Sequence, residues 1–116
     1  MSVTFYRQNS NPDQELNVSN TNFCAIMELL DSPIGGPEGL CGSFSGASLL
    51  FFQGKINFAL SSLEAMPALD EGKPTEVLAP NFIDCGRPDG YFTNRLRTLK
   101  AIVDATLEAN ETLYFA

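Results

Sequence analysis

The stretch from Asp89 to Ala116 constrains the chain most. Downstream of Asp89 and Gly90, the residues Phe92, Leu96, Leu99, Val103 and Thr106 or Leu107, joined by Ile102, recur at the spacing of one helical face. Asp89 is the expected N-cap of this helix and Asn110 its expected C-terminal cap. Glu111-Thr112-Leu113-Tyr114-Phe115 then alternates polar and apolar residues as a strand does. A matching pattern stands at the other end, where Val3-Thr4-Phe5-Tyr6-Arg7 alternates β-branched and aromatic residues. Two short amphipathic strands at opposite chain ends pair most economically with each other. Such a ribbon is marginal unless helices cover one face.

Two further helices are expected. Leu16-Asn17-Val18-Ser19 points Leu16 and Val18 inward as the chain enters the first, with Ser19 as N-cap and Val18 and Phe23 as a hydrophobic staple. Phe23, Ile26, Met27 and Leu30 form its buried face, and Pro33 ends it near Asp31. The second follows Ser45 as its cap, and Pro67 closes it at about Ala65. Leu49, Phe52, Ile56, Ala59 or Leu60, and Leu63 form its stripe, which Phe51 and Phe58 are expected to widen. Gly54 inside it costs about 1 kcal/mol relative to Ala, which implies a close neighbour or a bend. Between the helices, residues 32–46 hold five of the nine glycines and read as a loop. Residues 67–90 carry four Pro and three Gly, with a turn or short strand expected at Glu76–Ala79. The expected fold is α+β: one compact domain over residues 1–116, with about three helices on a two-stranded ribbon.

Composition bears on function mainly by exclusion. The chain of 116 residues contains no His, which removes Ser-His-Asp and Cys-His catalysis and most zinc and haem ligand sets. Cys24, Cys41 and Cys85 form no CxxC pair and suit free thiols in a reducing compartment. Fourteen acids against seven bases give a net charge of -7, which disfavours nucleic acid and anionic membrane as direct partners. No apolar run is long enough for a membrane span and the first residues lack signal-peptide zones, so a cytoplasmic location is expected.

Several constellations are weighed against plain structural roles. Gly35-Gly36 through Gly39 and Gly42-Ser43 precede a helix, but no Gly-Lys-Ser/Thr follows, so a connector is preferred to a phosphate loop. Pro12-Asp13 with Glu71-Gly72-Lys73 matches a short nuclease pattern, and turn-like sequence on an acidic chain argues for coincidence. Cys41 and Cys85 lie in loops and could react if a cation activated them, Arg87 being near Cys85, although small apolar packing is what free Cys usually does. Asn17, Asn20 and Asn22, with Ser19, suit capping and turn chemistry or, more sharply, a small polar pocket. Arg87, Arg95, Arg97 and Lys100 face one acid, Asp89, over residues 87–100. That charge order opposes the helix dipole, and it marks either a solvated face or a basic spot for a partner's carboxylate or phosphate.

Two segments carry a resemblance. Glu15-Leu16-Asn17-Val18-Ser19-Asn20-Thr21-Asn22 and Gly90-Tyr91-Phe92-Thr93-Asn94-Arg95-Leu96 through Asn110 to Tyr114-Phe115-Ala116 resemble a group of small bacterial proteins of unknown function. In that group an LNVSNxN helix start is paired with a terminal GYxxxRLxxL helix and a short aromatic strand. The resemblance implies a compact stand-alone domain and carries no catalytic residues. The group's closing Trp-Gly is here Phe115-Ala116.

The expected function is a non-enzymatic interaction protein of bacterial or phage origin, of the immunity or inhibitor kind, binding a protein partner, basic or neutral, through an acidic surface without cofactors. The alternative is a small-ligand-binding domain or minor enzyme with a pocket between the glycine-rich loop 35–46 and the helix start at 17–23. A third possibility is a homo-oligomer that buries the surplus among its nine Phe.

Overall fold

Alternation at both chain ends produces the pairing it predicts, at the centre of a wider sheet. The computed structural model describes residues 2–8, 15–30, 42–72, 76–79, 82–84 and 88–116, with 76–79 and 82–84 as backbone only. Strand β1 (Ser2–Arg7) pairs antiparallel with β6 (Leu113–Phe115), Phe5 opposite Phe115 and Arg7 opposite Leu113. The expected two-stranded ribbon is corrected to a four-stranded antiparallel sheet in the order β2-β1-β6-β3. β2 is Leu16–Ser19, and its alternation continues as a strand on β1 rather than only leading into a helix. β3 is Gly42–Phe44, inside the stretch expected to be a loop. Gly42 fits there because a Cβ would lie 2.8 Å from the Phe115 ring across the strand pair.

Three α-helices accompany the sheet, and their buried faces share one apolar core with it. α1 (Asn20–Leu29) starts at Ser19, whose Oγ accepts from the Asn22 N–H at 3.2 Å, and it buries Phe23, Ile26 and Met27. It stops two residues before Asp31, with Leu30 as its C-cap. α2 (Gly46–Ala65) follows Ser45, whose N–H donates to Ser48 Oγ at 3.0 Å. It buries Leu49, Phe52, Ile56, Ala59 and Leu63, the expected stripe. Phe51 and Phe58 do not widen it. They lie roughly 100° or more round the helix from the buried stripe and are 70% and 75% exposed. Gly54 is exposed, with nothing within 4 Å of where a Cβ would sit, so the expected close neighbour is not there among the described residues.

Between core strands and helices lies a chain of rings. Phe44 stacks on Phe52 at 4.2 Å and on Phe115 at 5.5 Å, and Phe115 meets Phe5 and Phe23 at 5.9 and 5.6 Å. Offset and tilted contacts of this kind add about 0.5–1.5 kcal/mol each to the area they bury. The opposite sheet face is more polar, carrying Ser2, Thr4, Asn17 and Ser43 with Tyr6 stacked on Tyr114. That division is what an antiparallel sheet covered on one side requires.

A 3-10 turn at Pro67–Asp70 leaves α2, and β4 (Glu76–Ala79) pairs antiparallel with β5 (Phe82–Asp84). α3 (Tyr91–Glu108) then runs antiparallel to α2 and buries Phe92, Leu96, Leu99, Ile102, Val103 and Thr106 as expected, with Tyr91 in addition. Its C-terminus is a Schellman turn: Asn110 takes φ 54°, its N–H donates to Leu107 O, and the Glu111 N–H donates to Thr106 O. Among the described residues no helix is long and apolar enough to cross a membrane.

Candidate functional site

The start of α3 differs from its expected form, and the difference builds the most distinctive surface of the protein. The N-cap is Gly90 at φ 76°, a left-handed conformation that suits Gly. Having no side chain, Gly90 cannot cap. Asp70, at the end of the 3-10 turn, does so from outside: Oδ1 accepts from the Phe92 N–H at 2.7 Å, and Oδ2 accepts from the Thr93 N–H at 3.0 Å and Thr93 Oγ1 at 2.6 Å. The Asp70 carbonyl also accepts from the Gly90 N–H at 2.9 Å. These are the N2 and N3 donors that a local cap would satisfy, and the Asp70 charge lies at the positive end of the helix dipole. Asp89, the expected cap, instead accepts from the Gly72 N–H at 2.6 Å and closes the corner from the other side.

The corner so formed is acidic and partly apolar outside. Glu64, Glu71 and Asp89 are exposed, and Met66 and Leu69, which lie between Glu64 and Glu71 in sequence, are 58% and 44% exposed. A hollow of about 380 Å³ opens there, lined by Leu63, Pro67, Ala68, Asp70, Glu71, Asp89, Gly90 and Thr93. A second, of about 540 Å³, continues along the groove between α2 and α3 past Asn57, Ser61, Glu64 and Arg97. Among the described residues no group of three or more His, Cys, Asp or Glu is placed to hold a metal ion.

Of the four basic residues, the three that are described lie on different flanks of α3. Arg97 is exposed on the groove side of α3, and Lys100, one turn on, donates to Asp104 at 2.7 Å. Burial pushes the Asp104 carboxyl up, but the hydrogen bonds from Lys100 and Gln53 and the Lys100 charge outweigh it, leaving the group below its ordinary 3.8. Arg95, two residues from Arg97 and so about 200° round the helix, lies over the Tyr91 ring at 5.3 Å on the other flank. Arg87 lies outside the described residues, as do Cys41, Cys85, Asp13 and Lys73. Cys24 is a free, exposed thiol.

The three asparagines separate as well. Asn17 is exposed on the polar sheet face and donates to Ser2 Oγ and Thr4 Oγ1 at 3.0 and 2.8 Å. Asn22 is buried in the first turn of α1, and Asn20 is half-buried with its Oδ1 enclosed. Of the glycine-rich loop, residues 35–41 lie outside the described residues; β3 and Ser45 stand at the sheet edge opposite β2 and the start of α1. Three strand spacings of about 4.8 Å separate those edges. Sequence reasoning missed the Asp70 corner because its parts are distant in sequence. The available signal was Pro67-Ala68-Leu69-Asp70 itself, a Pro-led turn ending in an acid.

Compared with protein-family models, with curated proteins and with solved structures, the chain matches none.

Proposed function

We propose that the protein is a non-enzymatic interaction domain of the immunity or inhibitor kind, cytoplasmic and of bacterial or phage origin, that binds a basic protein partner at the corner between α2 and α3. The observation that supports this is the exposure of Met66 and Leu69 in the short stretch between the exposed Glu64 and Glu71, next to the hollow that Glu71 and Asp89 line. Exposed apolar side chains close to exposed charges suit a recognition surface, in which the apolar groups supply affinity and the charges supply rate and selectivity. Glu64 also lies in the last turn of α2, where a negative charge opposes the helix dipole and so weakens the helix it belongs to. A surface that sacrifices local stability in this way is suited to a partner that returns it.

The test is affinity capture from the source cells with the wild-type chain and a Glu64→Lys, Glu71→Lys variant as baits. The expected result is a basic protein held by the wild type at low ionic strength, lost by about 0.5 M salt as screening shortens the reach of the acidic charges, and not held by the variant. Capture of the same proteins by both baits, or retention that ignores salt, overturns the proposal.

A further inference from the structure

The outer face of α2 carries a second apolar pattern that the fold leaves uncovered. Phe51 and Phe58 are 70% and 75% exposed and Leu50 is 58% exposed beside them. Ala47, Phe51, Gly54, Phe58, Ser61 and Ala65 are all exposed and follow one another in alternating steps of four and three residues. That is the spacing of a helix-to-helix seam, in which each knob needs a hole on the facing helix. The six positions are also symmetric about Ile56: Phe58 mirrors Gly54, Phe51 mirrors Ser61, and Ala47 mirrors Ala65. An antiparallel copy of the same helix centred there sets every Phe against a small residue.

We propose that α2 pairs with α2 of a second copy about a two-fold axis at the level of Ile56, forming a reversible homodimer. A two-fold interface must be complementary to itself, and this face is so in both register and size. Charge agrees, since the twenty residues of α2 carry only Lys55 and Glu64 on a chain of net charge -7, so this is a face on which two acidic copies can meet. Gly54 also gains a reason. Nothing among the described residues lies within 4 Å of where its Cβ would sit, and in the pair the Phe58 ring of the second copy fills that space.

The area sets the strength. Two Phe of this exposure present roughly 300 Å² per copy, and with Leu50 and the small residues the pair approaches the ~1,200 Å² lower bound of specific interfaces. Interfaces at that lower bound belong to the weak, transient class, which fits a reversible dimer. Dimerisation brings together two chains of net charge -7, which repel one another. Salt screens that repulsion and therefore tightens the dimer.

Sedimentation velocity of the full chain from about 1 to 300 μM reads this directly. A monomer-dimer equilibrium is expected, several-fold tighter at high than at low salt. Phe58→Ser weakens it at least tenfold, and Phe51→Ser does the same should the first variant fold poorly. Gly54→Leu is the sharper variant: it adds apolar surface yet blocks the slot for Phe58, so it also weakens the dimer at least tenfold. A monomer at every concentration, indifference to both Phe changes, or a Gly54→Leu chain that associates as tightly as the wild type overturns the proposal. Binding of a basic partner is read with the Glu64 and Glu71 changes and is weakened by salt, so either proposal can fail without the other.

Discussion

Asp70 is the residue on which the start of α3 depends. It is buried, and its carboxylate accepts from two backbone N–H groups and one hydroxyl that have no cap at Gly90 to turn to. Asp70→Ala removes the acceptor and leaves the buried Phe92 N–H unsatisfied, which costs about 2 kcal/mol by the magnitudes of lost caps and orphaned donors. Asp70→Asn keeps one oxygen and loses the charge, and about half that loss is expected. Urea unfolding of the three chains measures both, and a loss below about 0.5 kcal/mol for the alanine variant would return the capping role to Asp89. The expectation of a cap at Asp89 was reasonable by local rules, since an acid stood just before an amphipathic run. It failed because a carboxylate about twenty residues upstream in sequence competed for the same donors, and a left-handed Gly90 turned residue 89 away from them. No local window contains both halves of that contact.

At the scale of elements, the three helices were legible because each carries two or more turns of a consistent apolar face. The outer strands of the sheet were not. β2 and β3 have four and three residues, too few alternations to separate a strand from the approach to a helix or from a glycine-rich loop, and pairing with neighbours decides them. α2 shows a different limit. Its Phe content suggested one wide buried face, whereas Phe51 and Phe58 belong to a second face pointing away from the sheet. Gly54 lies on that second face, so its cost to the helix is not repaid within the single chain. Gly54→Ala is therefore expected to stabilise the monomer by about 1 kcal/mol, raising Tm by roughly 4 °C at low micromolar concentration. A melting temperature unchanged or lowered there would mean that a neighbour or a bend at residue 54 needs the glycine after all.

For the whole molecule, the organising fact is that the two ends of the described chain meet in the middle of the sheet. The Thr4 N–H donates to Ala116 O at 2.8 Å, the Ala116 N–H to Thr4 O at 3.0 Å, and the Gln8 N–H to Thr112 O at 3.0 Å. At the far end of that seam Arg7 reaches Glu111 at 2.5 Å, with side chains only 17% and 10% exposed. The pair ties the first strand to the turn that ends α3, so it links sheet closure to helix termination. Its strength follows from burial: two charges this enclosed are nearly neutral in sum, but one left without the other is costly. Glu111→Leu alone is expected to destabilise the fold by about 2 kcal/mol, because it removes the carboxylate 2.5 Å from a little-exposed Arg7 guanidinium on the core side of β1. Adding Arg7→Met should recover most of that loss and bring the double variant within about 1 kcal/mol of the wild type. A double-mutant cycle by chemical denaturation separates the two cases. Additive losses from Arg7→Met and Glu111→Leu would show that the strands close on backbone pairing and aromatic packing alone, with the ion pair an ornament of the seam rather than part of its hold.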